Sequence, residues 1–163
     1  MDLVYRDIQE KDLPLIKAIY DWYIANSTAT FHTEPIQVEQ LKEFLFFNHP
    51  VYKSFLIYRD DEPLGYCFLT YYKKRQAYDR TAEVTLYLKF DVRHKGIGTV
   101  SLKHLEKTAK EVGLKNLLGI ITGENTESIA LFERLGFEKC AHFRNVGEKF
   151  GKILDVVAYQ KEI

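Results

Sequence analysis

The sequence predicts an α/β (α+β) fold: a mixed, mostly antiparallel central sheet with helices on both faces. Three observations lead there. Segments of period-two alternation and segments of helical spacing follow one another in the order β-α-α-β-β-β-α-β-α-β-β. Several neighbouring strands are separated only by tight turns, which favours antiparallel pairing, whereas strands joined through a helix can lie parallel. The run Asn116–Thr122 is almost continuously apolar, as expected of a strand covered on both faces. With 163 residues, 46% of them hydrophobic, the chain is expected to form a single domain, 1–163, with a sizeable core.

Taken in order, Val4–Ile8 reads as a first strand. Asp12 stands where an N-cap belongs and Pro14 in the first turn after it. Leu15, Ile16, Ile19, Tyr20, Tyr23 and Ile24 recur at helical spacing. A second helix is expected over Val38–Phe47, closed by Pro50. Tyr52–Tyr58 and Leu64–Tyr72 read as a hairpin around the turn Asp60-Asp61-Glu62-Pro63. After the loop KKRQAYDR comes a strand, Thr81–Phe90, and then a glycine turn. A helix over Thr99–Val112 follows, ended by Gly113. Asn125 reads as the N-cap of a helix ending at Leu135-Gly136. Phe137–Val146, the turn GEKFGK and Ile153–Gln160 make a closing hairpin.

Bulk composition narrows the function. The 23 basic residues are balanced by 23 acidic ones, so no global field would recruit nucleic acid or a membrane surface. No apolar run approaches the roughly 18–20 residues of a membrane span, and the acidic N-terminus lacks signal-peptide order. Cys67 and Cys140, without metal-ligand spacing, are expected to be buried reduced thiols of a cytoplasmic protein. His32, His49, His104 and His142 show no metal spacing either, so no metal site is expected.

The stretch Thr81–Gly98 concentrates the chemistry. Period two puts Glu83, Thr85, Tyr87 and Lys89 on one face of the strand and Ala82, Val84, Leu86, Leu88 and Phe90 on the other. Glu83 is either an acid on a half-solvated face or, among apolar neighbours that raise its pKa, a general base. In Arg93-His94-Lys95-Gly96-Ile97-Gly98, the two glycines would let backbone amides approach an anion at a helix start, with local positive charge beside them. A plain helix-start turn uses the same residues. A dinucleotide fingerprint would need a third glycine at Ser101, and a P-loop would need a lysine at Thr99.

RHKGIG resembles the acyl-CoA pyrophosphate motif, Arg/Gln-x-x-Gly-x-Gly/Ala, of the GCN5-related N-acetyltransferases. Asn125–Phe137, NTESIALFERLGF, resembles that family's second signature at the expected distance. TFHTEP, KKRQAYDRTAE and VGEKFGKILD are similar to segments of its phosphinothricin N-acetyltransferase branch. The resemblance spans nearly the whole chain and implies the GNAT fold, acetyl-CoA as acetyl donor and a small amine as acceptor. It implies that His94, Lys95, Gly96, Ile97, Gly98 and Thr99 bind the CoA pyrophosphate through backbone amides. Leu86, Tyr87 and Leu88 would meet the pantetheine arm, and Asn125 would contact the same part of the cofactor. Glu83 matches the general base. Phe31, Lys73, Arg75, Tyr78 and Tyr87 match the acceptor pocket, the two cations suiting a carboxylate or phosphinate. The branch also implies a homodimer.

One position departs from the family. Phe132 stands where many acetyltransferases keep a tyrosine, and where the phosphinothricin branch can carry a histidine. A phenylalanine can neither donate nor accept a proton. Proton transfer is therefore expected to fall on Glu83, directly or through water.

Overall fold

In the computed structural model, which describes residues 2–92 and 96–163, the strands are β1 (Val4–Asp7), β2 (Ser54–Arg59), β3 (Glu62–Tyr71), β4 (Thr81–Leu88), β5 (Asn116–Thr122), β6 (Glu138–Lys149) and β7 (Lys152–Glu162). The helices are α1 (Leu13–Asn26), α2 (Val38–Leu41), α3 (Ile97–Glu111) and α4 (Thr126–Arg134). The strands form one sheet in the order β1-β2-β3-β4-β5-β7-β6. Every neighbouring pair is antiparallel except β4 and β5, which α3 connects as a parallel crossover.

Of the predicted stripe of α1, Ile16, Ile19, Tyr20, Tyr23 and Ile24 are buried, while Leu15 is only partly buried and Leu13 joins the core instead. They pack with Leu56, Tyr66 and Phe68 on one face of the sheet. The other face carries Ala82, Val84 and Leu88 of β4 against Leu102, Leu105 and Ala109 of α3, with Phe132 of α4 in the same cluster. The Glu83 face of β4 keeps the expected half-solvated alternation, with Glu83, Thr85 and Tyr87 each only partly buried, although Tyr87 lies among the rings of Tyr20, Tyr23 and Tyr66.

Several boundaries differ from those predicted, each for a local reason. α2 is a single turn rather than a helix over residues 38–47. After Leu41 the backbone tightens to bonds such as Phe44 N–H to Leu41 O, and the aromatic run divides between two clusters. Phe44 stacks on Phe68, while Phe46 packs against His49, Tyr52 and Tyr71. Tertiary packing outweighs the weak helix propensity of these residues. Asp12 does precede α1, but its carboxylate accepts from the Gln9 N–H at 2.8 Å and caps the preceding turn instead. The β2–β3 turn shrinks to Asp60 and Asp61, both at positive φ (50° and 64°), a type I′ geometry that matches strand twist. Phe150 and Gly151, at φ 53° and 72°, do the same for β6–β7, which lengthens both closing strands. β4 stops at Leu88, so Phe90 is 57% exposed and stacks on Trp22 instead of entering the core. Cys67 is buried, but Cys140 is exposed because β6 is an edge strand.

The segment leaving α1 bridges the two halves of the sheet. Lys149 of β6, 3% exposed, donates to Ser27 O at 2.7 Å and Thr30 O at 2.9 Å. The Thr122 hydroxyl donates to Thr28 O at 2.6 Å, and the Thr28 hydroxyl donates to Glu124 at 2.6 Å. The Phe31 ring lies against Gly147, where a Cβ would come within 2.4 Å of it. α1 packs beneath β3 and β4, so these contacts carry the chain across to β5 and β6.

β3 approaches β4 closely at Gly65, where a Cβ would fall 2.3 Å from the Tyr87 carbonyl oxygen. That neighbour is backbone and cannot step aside. Gly65→Ala should therefore lose about 1–3 kcal/mol, the cost of overpacking, in urea-denaturation midpoints.

Candidate active site

The parallel β4–β5 ladder is short. Thr81↔Asn116, Ala82↔Leu117 and Glu83↔Leu118 pair, and beyond them the two strands continue to Leu88 and Thr122 without a shared register. A cavity of about 580 Å³ occupies the fork, lined on one side by Val84, Thr85, Leu86, Tyr87 and Leu88 and on the other by Ile120, Ile121 and Thr122. Gly96, Gly98 and Thr99 from the start of α3 and Asn125, Leu131 and Phe132 from the α4 region complete it.

The direction of the free backbone groups follows from the β3–β4 ladder. The Lys89 N–H bonds to Leu64 O at 2.8 Å, and bonding alternates along an antiparallel pair. Odd-numbered β4 residues, Tyr87 included, are thus turned toward β3. Leu86 and Leu88 turn their backbone groups toward the fork. The Leu88 carbonyl accepts from the Tyr23 hydroxyl, whose ring also lines the cavity. Of the three predicted pantetheine contacts, Leu86 and Leu88 therefore present backbone, while Tyr87 brings its side chain to the α1 face.

At the far end of the cavity Gly96 takes φ 76° as the N-cap of α3, which begins two residues earlier than its spacing suggests. The first bond that closes back on the cap is Val100 N–H to Gly96 O, so Ile97, Gly98 and Thr99 contribute first-turn N–H groups at the positive end of the helix dipole. The Ile97 side chain is fully buried, leaving only its backbone for a ligand. A Cβ on Gly98 would lie 3.1 Å from Leu131 and 3.4 Å from Leu86, so glycine keeps this turn close to both walls. Arg93, His94 and Lys95 lie outside the described residues. Asn125 caps α4 by accepting from Ser128 N–H at 3.2 Å, which leaves its amide nitrogen as a donor.

Glu83 is the last paired residue before the fork. Its side chain is half-buried, and burial raises its pKa above that of a free glutamate, with the Lys73 cation opposing the shift. Among the described residues its carboxylate has no hydrogen bond. Lys73, Arg75 and Tyr78 are brought together beyond β3: Lys73 Nζ sits 5.2 Å from the centre of the Tyr72 ring, and the Arg75 guanidinium 5.8 Å from that of Tyr78. The two rings meet edge-on at 5.4 Å, so Tyr72 belongs to this cationic cluster as well. The Phe31 ring lies against Gly147 of β6.

A hydroxyl network on α1 escaped the sequence reading. Tyr20 OH lies 2.5 Å from Thr30 Oγ1 and 2.6 Å from His32 Nδ1, and the Tyr87 hydroxyl lies beside Thr30. Burial pushes both tyrosine pKa values up, which keeps them neutral. Helical spacing marked Tyr20 and Tyr23 as core, which they are. Nothing in spacing reveals where their hydroxyls go. Phe132 is 6% exposed, edge-on to Phe137 at 4.9 Å, and pressed on Gly119, where a Cβ would approach its ring to 2.4 Å. At this position the cavity wall is hydrocarbon. Among the described residues, no group of His, Cys, Asp and Glu side chains is arranged to hold a metal, and no helix is long and apolar enough to cross a membrane.

Comparison with known proteins agrees with this geometry. The acetyltransferase (GNAT) domain family matches residues 5–158. An L-methionine sulfoximine/L-methionine sulfone acetyltransferase of Pseudomonas aeruginosa is 32% identical over 162 residues, covering 98% of this chain and 94% of that one. A phosphinothricin N-acetyltransferase of Streptomyces coelicolor is 28% identical, covering 94% and 92%. The crystal structure of a GNAT superfamily phosphinothricin acetyltransferase from Sinorhizobium meliloti, in complex with acetyl-CoA, superposes with a TM-score of 0.92 at 27% identity, covering 100% of this chain and 89% of that one. A chain whose sheet forks beside a glycine-started helix, and whose sequence matches this family almost end to end, belongs to the GNAT acetyltransferases and is an acetyl-CoA-dependent N-acetyltransferase.

Proposed function

We propose that the protein transfers the acetyl group of acetyl-CoA to the amine of a small, anionic, amino-acid-like acceptor of the phosphinothricin or methionine sulfoximine type, with Glu83 as general base. The observation that carries this reading is the position of Glu83: a half-buried acid at the vertex of the fork, with Lys73 acting on it from the acceptor side. The names of the relatives support the acceptor class. We take residues 1–163 as one catalytic domain. The reduced thiols Cys67 and Cys140 suit a cytoplasmic setting.

In this reading the N–H groups of Ile97, Gly98 and Thr99, with Gly96 and the neighbouring His94 and Lys95, hold the CoA pyrophosphate at the helix start. Leu86 and Leu88 align the pantetheine arm, assisted by Asn125. One of their N–H groups polarises the thioester carbonyl, where negative charge develops during attack. Lys73 and Arg75 receive the acceptor's acidic groups, with Tyr78 and Tyr87 shaping the chamber and Phe31 serving as its outer wall. The acceptor arrives as an ammonium and must first lose a proton. Glu83 takes it, the nitrogen attacks the carbonyl carbon, and the C–S bond breaks. Phe132 has no hydroxyl, so the departing thiolate takes its proton from solvent.

The exposed apolar side chains of the β6–β7 hairpin, Phe143, Val146, Phe150 and Ile153, support a homodimer built through that hairpin. Light scattering after size exclusion should give twice the chain mass, and a monomer at micromolar concentration removes the dimer.

Glu83→Gln should lower kcat by about 10²–10⁴-fold, the usual worth of a general base. Acetyl-CoA binding, measured by calorimetry, should persist. Full transfer at every pH in this variant would eliminate Glu83 as base. The sign of the pH dependence follows from burial. The base works ionised and desolvation disfavours that form, so kcat/KM should rise with pH through an apparent pKa above the ordinary glutamate value. In a panel of amines followed by thiol release, phosphinothricin and methionine sulfoximine should react fastest and polyamines least. Arg75→Ala should raise KM for the anionic acceptors by about tenfold, the loss of one charge-assisted contact, and leave KM for acetyl-CoA unchanged.

A further inference from the structure

An aromatic pair at the cavity has no role in the transfer step. Trp22, in the last two turns of α1, is half-buried and lines the cavity. Phe90, exposed two residues beyond the end of β4, stacks on it with ring centroids 5.2 Å apart and planes 12° from parallel. Tyr23 meets Trp22 edge-on at 5.1 Å, and its hydroxyl donates to Leu88 O. Asn26, one turn further, lines the same cavity and donates to Trp22 O at 2.9 Å. The indole is thus held both by α1 itself and by the chain at the end of β4.

Position along β4 decides which substrate this pair meets. Glu83 lies near the start of the strand and Leu88 ends it, five residues on. That is about 16 Å at the rise of an extended chain. The cations that would receive the acceptor lie the other way: β3 ends at Tyr71 opposite Ala82, and Lys73 and Arg75 follow it. A small amino acid with its amine at Glu83 and its acidic groups at those cations extends away from Trp22. The thioester arm runs toward it, from the phosphates at the start of α3 down the slot past Leu88 and Leu86. The first segment of that arm after the phosphates is the pantoyl unit, whose paired methyl groups are its bulkiest hydrocarbon. Hydrocarbon of this kind suits an aromatic wall, whereas the two amides further along need polar partners such as the backbone of β4.

We infer that Trp22, steadied by Phe90, is a binding residue for acetyl-CoA, its indole packing against the dimethyl segment of the pantetheine arm. The inference rests on the arm lying along Leu86 and Leu88 with its phosphates at the start of α3, and it does not require Glu83 to be the base. It adds an apolar contact from α1 to the backbone contacts of β4, so that two elements grip the arm.

Trp22 is the only tryptophan of the chain, so its emission reports on this wall alone. Titration with CoA should shift that emission, with the midpoint that calorimetry gives for CoA binding. Adenosine 3′,5′-bisphosphate, which carries nucleotide phosphates without the arm, should leave it unmoved, as should phosphinothricin added to the CoA complex. Trp22→Ala should raise the Kd for CoA by about tenfold, the loss of one aromatic contact with hydrocarbon, with the Kd for the bisphosphate unchanged. Trp22→Phe should recover most of the loss. Phe90→Ala, at an exposed position that folding tolerates, should raise the Kd for CoA by about two- to fivefold as the stacked support is lost.

Emission that stays constant up to saturating CoA, or an unchanged Kd in Trp22→Ala, overturns this inference alone. Equal losses for CoA and for the bisphosphate put the adenine on the pair and overturn it too. A response to phosphinothricin with none to CoA assigns the pair to the acceptor and has the same result. Gly98→Val tests the parent placement separately: it should weaken CoA and the bisphosphate alike, and if it weakens neither, the placement of the cofactor itself falls.

Discussion

The parallel pairing of β4 and β5 ends after Glu83 and Leu118, and most of the molecule is arranged around that break. Strands that stop pairing leave backbone donors and acceptors facing one another across a gap, and buried groups of that kind need partners. Here the gap is lined by Leu86 and Leu88 on one side and Ile120–Thr122 on the other, with α1 covering one face of the sheet and α3 and α4 the other. A ladder left open between two layers of helices provides a slot with a donor-bearing wall. The first turn of α3 brings further N–H groups to its end, and the helix dipole favours an anion there. The fork and the helix start together thus shape one slot, with Glu83 as the last paired residue at its vertex.

Keeping the slot open demands support from the side chains. The segment after α1 is tied to β5 and β6 by Thr122 and Lys149, and a buried ammonium held by two carbonyls resists displacement because leaving them would strand buried polar groups. Small residues serve the same end. Gly98 keeps the helix start near both walls, and Gly119 accepts the Phe132 ring flat against β5. At Phe132 the α4 wall presents hydrocarbon beside the polar Asn125 and Ser128, while the Tyr20 and Tyr87 hydroxyls and Glu83 lie on the α1 side of the sheet.

Much of this could be read from the chain, and the failures have common causes. Strand alternation, the α1 stripe, the glycine turn and the Asn125 cap are local features, and each appears within a residue or two of its expected place. The second helix shortened because Phe44 and Phe46 are drawn to different clusters, a competition that no window of sequence contains. Glu83 could be singled out by its strand and its neighbours. Trp22 could not, because its stack on Phe90 depends on where α1 meets the end of β4. Tyr72 and Phe31 show the same limit: one joined the cationic cluster and the other packed onto β6, according to contacts distant in sequence.

By itself, the sequence determined the element order, the mixed sheet, the glycine-started helix and the presence of a candidate base, since each rests on residue spacing and local backbone preference. Only the tertiary structure decided that Tyr87 lies among the rings of α1 and that β4 and β5 part after three pairs. It alone decided that Leu86 and Leu88, not Tyr87, turn their backbone to the gap, and that Trp22 stacks on Phe90 at the cavity. These are matters of register and of which groups are left without partners. They are settled when distant strands meet and every buried donor must find an acceptor.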